Sequence, residues 1–264
     1  MADSIPIGMC TSPDRAKKLE EMRGTCSTGY AYWEPAVSSA LVPLEDDESY
    51  ESQREKLLSV DLPIYAFNAF VPSEVRLVGD DVQWKQVEMY AKRATKRAAD
   101  VGGQIIVFGS GGARAVPKGY SRKRAWKQLI QFLRLCAAEA ERYDLTIAIE
   151  PLNRSETNII NAYSEAVELA KEVDREQIQV LADIYHFMME DEPLEHIRQA
   201  PQWLVHVHLA DSGRLYPGSG SYPLQELFDL LREVGYEGRA SIECRWGEDF
   251  FQEATQALRF LQNL

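Results

Sequence analysis

Four short apolar segments in the second half of the chain each contain, near their carboxyl end, an acidic or histidine side chain. The segments are Thr146–Glu150, Leu181–Asp183, Val205–Asp211 and Ala240–Glu243. Each has the length and composition of a buried strand, and Pro151 stops strand pairing directly behind Glu150. Strand ends of this kind build one site only where they converge, as they do at the rim of a closed parallel barrel.

The whole chain follows a regular alternation of strands and helices. Eight strands are predicted, at Ile5–Cys10, Gly29–Glu34, Leu62–Phe67, Gln104–Phe108, Leu145–Glu150, Ile178–Asp183, Leu204–Leu209 and Arg239–Glu243. The helices that follow them are predicted at Asp14–Met22, Tyr50–Ser59, Asp81–Ala99, Ser121–Arg142, Ser164–Val173, Leu194–Gln199, Leu224–Val234 and Asp249–Leu261. Repeated strand–helix units form a parallel sheet. Eight units in 264 residues predict the α/β class and a single-domain (β/α)8 TIM barrel over residues 1–264, with its site on the C-terminal rim. A doubly wound open sheet is the alternative, but it would leave the four strand ends spread along one edge.

Charge and cysteine usage narrow the expected partners and compartment. The net charge is −12, although nucleic acids and anionic membrane surfaces are bound by basic surfaces. Neither is therefore expected as a partner, and ordinary solubility explains the acidity. The chain has no predicted signal peptide or membrane span. Its cysteines, which lie outside any CxxC pair, are predicted to be free thiols in a reducing cytoplasm; they are Cys10, Cys26, Cys136 and Cys244.

The four strand ends predict a metal site made of Glu150, Asp183, His208 and Glu243. Three carboxylates and an imidazole suit one divalent ion, Mn²⁺ or Mg²⁺ first, with Co²⁺ and Zn²⁺ as further candidates. Without a cation, three carboxylates in one pocket would repel each other and take up protons. Each residue alone could be a cap, a solvated charge or a core histidine. His206 also shares a strand face with His208, so either histidine could reach the site.

Several motifs in this half resemble the xylose isomerase-like TIM-barrel superfamily of sugar phosphate isomerases and epimerases. They are IEPLNRSET at 149–157, DIYH at 183–186, HVHLAD at 206–211 with Arg214 and PGSG behind it, and SIE at 241–243. Within the superfamily they are most similar to the D-tagatose/D-psicose 3-epimerase and hydroxypyruvate isomerase group. The motifs cover roughly Leu145 to Arg245. The N-terminal half matches in its rhythm and, more weakly, around Tyr65 to Gly79.

The resemblance implies roles for individual residues. Glu150, Asp183, His208 and Glu243 match the metal ligands of the family, and Glu156, His186 and Arg214 match its substrate-contacting residues. Glu150 and Glu243 would also move the proton, from opposite faces of a small sugar or keto-acid substrate. Related enzymes are homodimers or homotetramers, which is the expectation for this chain.

The expected chemistry also follows from the residue types. A divalent ion that binds a carbonyl and the adjacent hydroxyl stabilises a cis-enediolate, and two carboxylates can remove and return the proton. Returning a proton to the opposite face of the same carbon gives epimerisation, and returning it to the neighbouring carbon gives aldose–ketose isomerisation. The expected enzyme is therefore a metal-dependent sugar epimerase or isomerase. A polyol-ketone dehydratase is the nearest alternative. A metal-dependent phosphodiesterase like the abasic-site endonucleases and a non-catalytic sugar-binding barrel are weaker ones.

Three further features have more than one interpretation. The glycine-rich turn Gly109–Gly112 could cradle a phosphate or be tight backbone. Aromatic side chains near the strand ends could line a sugar pocket or belong to the core; they are Tyr32, Trp33, Phe67, Phe70, Phe108 and Trp246. The acidic segment Pro43–Glu51 would disfavour a phosphorylated substrate if it lay over the pocket.

Overall fold

Eight parallel strands and the helices between them form a (β/α)8 barrel in the computed structural model, which describes residues 5–25 and 29–264. The strands are β1 Ile7–Cys10, β2 Tyr32–Glu34, β3 Ala66–Phe67, β4 Ile105–Phe108, β5 Thr146–Ile149, β6 Ile178–Asp183, β7 Leu204–Leu209 and β8 Arg239–Ile242. The helices are α1 Pro13–Thr25, α2 Val37–Ala40, α3 Asp47–Leu58, α4 Trp84–Asp100, α5 Gly111–Arg114, α6 Arg122–Ala140, α7 Tyr163–Val173, α8 Ile184–Met189, α9 Glu195–Gln199, α10 Leu224–Glu233 and α11 Phe250–Gln262. The predicted fold class is confirmed.

The strands lie in the order β2-β1-β8-β7-β6-β5-β4-β3, so each strand neighbours the next one along the chain and β8 neighbours β1. Between β2 and β3 the ring is closed by two isolated parallel bridges, Trp33 to Ile64 and Ala36 to Asn68. The remaining neighbours pair by parallel ladders. The ladder between β6 and β7 shifts register between Val180 and Leu181 and places Asp183 directly opposite His208.

Alternation along each strand divides the side chains between two packed regions. Ile105 and Val107 of β4 belong to a small cluster inside the barrel. Ile106 and Phe108 belong to the larger layer between strands and helices. The same period of two puts Val207 and Leu209 of β7 in the outer layer and its histidines inside. The inward positions at the C-terminal ends therefore collect the polar side chains.

The structure differs from the predicted elements where local signals compete. The predicted third strand, Leu62–Phe67, is reduced to Ala66–Phe67, because Pro63 has no N–H to give to a ladder. Residues 37–49, where no helix is predicted, contain α2 and the start of α3, which begins three residues before the predicted Tyr50. No helix is predicted over residues 184–189 either, yet they form α8 behind the Asp183 N-cap.

The acidic segment is tied to the outside of the barrel. The buried Arg97 donates to the carbonyl oxygens of Leu41, Val42, Glu45 and Asp46 and to the carboxylate of Asp47. Arg97 lies in the last turn of α4, near the end that leads into the N-terminus of β4. The segment therefore packs against α4, and its acidity gives no argument against a phosphorylated substrate.

Three smaller expectations can be compared with the structure. Tyr32, Trp33, Phe67, Phe70 and Phe108 are fully buried, as core residues are, while Trp246 is partly exposed. Cys10, Cys136 and Cys244 are free thiols, and Cys26 lies outside the described residues. In the described part of the chain, no helix is long and apolar enough to cross a membrane.

Candidate active site

The predicted ligand residues come together at the C-terminal end of the barrel. One ligand atom from each of Glu150, Asp183, His208 and Glu243 lies within 4.8 Å of the others. His208 Nδ1 is 3.3 Å from Glu150 Oε1 and 3.4 Å from Glu243 Oε2. The strand register produces this cluster, because β5 to β8 are successive neighbours and all four residues stand at inward positions.

Several buried polar atoms of this cluster lack hydrogen bonds. Glu150 Oε1, Asp183 Oδ2 and His208 Nδ1 have no hydrogen-bond partner among the described residues, and neither has His186 Nε2 nearby. Buried polar atoms are normally satisfied, and an unpaired one is costly. Two of these ligand atoms are carboxylate oxygens, the kind that a hard divalent cation prefers, and the third is an imidazole nitrogen, so the donor set fits one divalent ion.

The pKa values of the carboxylates also fit the binding of a cation. Burial, followed by the charges of Glu243 and Glu150, raises the pKa of Asp183 to about 8. Burial also raises the pKa of Glu150. The pKa of Glu243 is lowered instead, because His208 and Arg214 outweigh the effect of burial. The cluster therefore holds a proton near neutral pH that a cation would displace.

His208, rather than His206, supplies the imidazole. His208 Nε2 lies 3.1 Å from Glu34 Oε1, which leaves Nδ1 facing the three carboxylates. His206 Nε2 lies 3.0 Å from the other oxygen of Glu34 and takes no part in the four-residue cluster. The strand pattern allowed either His206 or His208 to reach the site, and of these two only His208 belongs to the four-residue cluster.

Glu34 is a part of the site to which the sequence reasoning assigned no role. Its carboxylate, at the end of β2, is fully buried and also accepts a hydrogen bond from Ser241 Oγ at 2.6 Å. Although burial opposes it, the two histidines hold the pKa of Glu34 well below its usual range. The carboxylate orients the ring of His208, and it would make Nδ1 a better ligand for a bound cation. The only sequence signal was one more strand that ends on a carboxylate.

The predicted substrate-contacting residues lie beside the cluster. Arg214 Nη2 is 2.8 Å from Glu243 Oε2, and Arg214 Nη1 is 3.2 Å from Glu156 Oε1. His186 Nδ1 accepts a 3.1 Å hydrogen bond from the backbone N–H of Asn153. His186 Nε2 lies 3.5 Å from Asp183 Oδ2. Burial, helped by Arg214, lowers the pKa of His186 to about 3, so the ring is neutral at physiological pH.

The remaining histidine lies elsewhere. His196 Nδ1 is 2.8 Å from Glu192 Oε1 on the far side of α8, and it belongs to none of the possible ligand clusters among the described residues. The described site therefore contains His186, His206 and His208 together with carboxylates. It is an oxygen-rich site suited to one cation.

Comparison with known proteins supports the barrel fold, and the matched part of the chain includes the strand ends described above. The profile of the family described as xylose isomerase-like TIM barrel matches residues 26–264. The 3-dehydro-D-guloside 4-epimerase of Escherichia coli is 32% identical over 186 residues, 67% of this chain and 70% of that protein. The D-psicose 3-epimerase of Enterocloster bolteae is 34% identical over 115 residues, which are 43% of this chain and 38% of that protein.

A solved structure shares the fold over nearly the whole chain. The D-allulose 3-epimerase of Methylomonas sp., solved in complex with D-allulose, has a TM-score of 0.79 and 21% sequence identity. The similarity covers 98% of this chain and 97% of that one. With a family profile that matches residues 26–264 and a barrel whose strand ends gather the expected side chains, the chain belongs to the xylose isomerase-like TIM barrel family.

Proposed function

We propose that this protein is a divalent-metal-dependent epimerase or isomerase of ketose-type sugars, with Glu150 and Glu243 as its acid and base. The observation that carries the proposal is the convergence of Glu150, Asp183, His208 and Glu243 within 4.8 Å, with unpaired buried atoms on three of them. The names of the relatives, sugar epimerases that act at C3 or C4, support the same class of reaction.

Glu150, Asp183, His208 and Glu243 would hold the ion, which when bound would stabilise negative charge that develops on the substrate oxygens. The two glutamates come from β5 and β8, which are separated around the ring by β6 and β7. They can therefore face a substrate from two sides. One carboxylate removes the proton from carbon, and the other returns a proton to the opposite face.

Arg214 and His186 complete the substrate side of the site. The guanidinium of Arg214 bridges Glu243 and Glu156, and its charge adds to the effect of His208 in keeping Glu243 ionised. Because Nδ1 of the neutral His186 accepts from Asn153, its Nε2 carries the hydrogen and can donate a hydrogen bond to a sugar hydroxyl without adding a charge. The proposed substrate is a small ketose or keto acid, and the choice between epimerisation and isomerisation depends on which carbon receives the proton.

Hydrogen exchange in D₂O tests the proposal directly. The Mg²⁺-loaded protein would be incubated with psicose, tagatose, fructose, hydroxypyruvate and several ketose phosphates and followed by NMR. We expect exchange of the hydrogen next to a carbonyl, and a loss of about 10²- to 10⁴-fold in Glu150→Gln and Glu243→Gln, the usual contribution of general acid–base catalysis.

Glu192→Gln is the matched control, because Glu192 is also a buried carboxylate paired with a histidine but lies outside the cluster. The exchanging carbon distinguishes a C3 epimerase from an aldose–ketose isomerase, and release of water would indicate a dehydratase. Failure of every compound to exchange, in protein shown to hold its metal, would contradict the proposal.

A further inference from the structure

We propose that the segment Gly109–Arg114 is a positioning device for Glu150, in which Gly109 leaves room for the carboxylate and Arg114 holds the main chain. The inference deepens the proposed function, because it rests on the role of Glu150 as ligand and as acid or base. The glycine-rich turn would then serve to position Glu150 and not to bind phosphate.

The space left by the missing side chains in this turn is occupied by the protein itself. A Cβ at Gly109 would lie 2.3 Å from Glu150 Oε2. A Cβ at Gly111 would lie 2.9 Å from the carbonyl oxygen of Glu156, and one at Gly112 would lie 2.9 Å from Ser73 Cβ. Contacts this short are essentially never seen, so a side chain at any of these positions would force the neighbouring protein atom to shift, and at Gly109 that atom belongs to the Glu150 carboxylate. A phosphate would find a carboxylate oxygen and a carbonyl oxygen at these positions, both of which would repel it.

Arg114 joins three segments through their carbonyl oxygens. Its Nη1 donates to Phe108 at 2.9 Å, and its Nη2 donates to Glu150 at 2.8 Å and more weakly to Ile160 at 3.3 Å. Phe108 is the last residue of β4, and Glu150 is the first residue after β5. The arginine therefore fixes the two strand ends to each other and to the loop that leads into α7.

Further contacts attach the same loop to α5 and the residues after it. Thr157 Oγ1 donates to the carbonyl oxygen of Gly111 at 3.3 Å. Asn158 bonds both the N–H and the carbonyl of Val116, at 2.8 and 2.9 Å. The loop from Glu150 to Ile160 carries Glu156 as well, so the segment holds the backbone of two predicted site residues.

The charge of Arg114 also acts on Glu150. Arg114 has no exposed surface, and its hydrogen bonds within the described part of the chain all go to neutral carbonyl groups. Arginine stays charged in proteins, so the guanidinium contributes a fixed positive charge next to Glu150. Lysine would keep the charge but lacks the planar fork that reaches several carbonyl groups.

A double-mutant cycle on metal affinity tests the proposal without relying on turnover. Gly109→Ala and Arg114→Lys would be made in the wild-type protein and in Glu150→Gln, and Mn²⁺ affinity measured by electron paramagnetic resonance. We expect each to weaken Mn²⁺ binding about 10- to 100-fold in the wild-type protein, the usual effect of disturbing a group that orients a ligand. In the Glu150→Gln background the same two substitutions should weaken Mn²⁺ binding little further.

The chain offers a matched control for each change. Arg97 is also a buried arginine that donates to carbonyl oxygens, but it holds residues 41–47. A Cβ at Gly103 would meet the ring of Phe67 at 2.6 Å, at the opposite end of β4. Arg97→Lys and Gly103→Ala are expected to lower the melting temperature without changing Mn²⁺ affinity.

Two results would overturn the proposal: equal losses of affinity in the wild-type and Glu150→Gln backgrounds, or control variants that weaken Mn²⁺ binding as much as the test variants. If the wild-type protein exchanges hydrogen on a ketose, Arg114→Lys should also lower kcat with little change in KM. If it binds Mn²⁺ but exchanges no hydrogen, the proposed reaction fails, while the cycle still decides the role of this segment.

Discussion

Glu34 connects the proposed metal centre to the polar interior of the barrel. One of its oxygens bonds His208 and the other bonds His206 and Ser241. Tyr32 extends this network, because its hydroxyl lies 2.9 Å from Ser241 Oγ. Buried polar networks of this kind hold their members in one arrangement when every partner is present. The His208 ring is therefore oriented by a residue outside the four-residue cluster.

We expect Glu34→Gln to weaken Mn²⁺ binding about 10- to 100-fold. The amide removes the negative charge that faces His208, and the ring is then free to turn or to change tautomer. A calorimetric titration measures the affinity, and Glu192→Gln controls for the loss of a buried carboxylate that bonds a histidine. Unchanged affinity in Glu34→Gln would show that the contact does not orient the ligand.

The four expected ligands could be predicted because each carries its own local signal, a charged or imidazole side chain at the end of an apolar run. Glu34 has the same local signal, but its role depends on His208, which is 174 positions away. Arg114 has no such signal, since a buried arginine that bonds only carbonyl groups looks like a surface residue in the sequence. Contacts between strands distant in the chain become visible only after the barrel is assembled.

The loop from Asp211 to Tyr222 is organised by one carboxylate. Asp211 Oδ1 accepts hydrogen bonds from the N–H groups of Ser212 and Tyr222, at 2.8 and 2.9 Å. Asp211 Oδ2 accepts one from the N–H of Gly218 at 2.9 Å. Arg214, which reaches Glu156 and Glu243, lies within this loop with a left-handed φ of 60°. The loop therefore holds a strained residue at the edge of the site.

Replacing Asp211 with alanine is expected to raise KM and lower kcat together, because Arg214 would lose its fixed position. Hydrogen exchange of the loop amides should become faster, while exchange in the strands stays slow. Asp211→Asn keeps two acceptor positions on one oxygen, so its KM, kcat and loop exchange should lie between those of the wild type and of Asp211→Ala. If Asp211→Ala has kinetics close to those of the wild type although its loop amides exchange faster, the order of the loop is not needed for the function of Arg214.

The eight strands and the eight predicted helices could be placed in order from the sequence, but their ends and the three short helices α2, α5 and α8 could not. The alternation of apolar strands with amphipathic helices is carried by many residues, so single exceptions do not hide it. The ends of β3 and α3 depend on Pro63 and on the Asp46 cap. In the Gly109–Gly112 turn, α5 begins at Gly111, and protein atoms surround the glycines.

The barrel as a whole brings acidic side chains together from strands that are far apart in the sequence. Folding thus places Glu150, Asp183 and Glu243 at one rim in spite of their charge. The alternation of eight strand–helix units predicted this convergence, because only a closed barrel gives the strand ends a common point. The cost in stability could not be predicted from the sequence, since it depends on how deeply each carboxylate is buried.

That cost makes the stability of the whole molecule depend on pH and on metal. The pKa of Asp183 is raised to about 8, above its value in an unfolded chain of roughly 4. In metal-free protein this carboxyl group is therefore most favourable to folding below about pH 4, and its contribution falls as pH rises toward 8. Metal binding requires the ionised form, so Mn²⁺ affinity should rise with pH up to about 8 and protons should be released on binding.

Thermal denaturation at several pH values measures both effects. At a free Mn²⁺ concentration of 100 times Kd, binding stabilises the folded state by about 2.7 kcal/mol, which corresponds to a rise in Tm of roughly 5 to 10 °C. A chelator should reverse the rise. Asp183→Asn should melt higher than the wild type without metal at pH 8 to 9, because the amide removes a buried charge, and it should gain much less from Mn²⁺. Equal responses to Mn²⁺ in the wild type and Asp183→Asn would mean that the ion binds away from the strand ends, and the assignment of the metal centre would then be wrong.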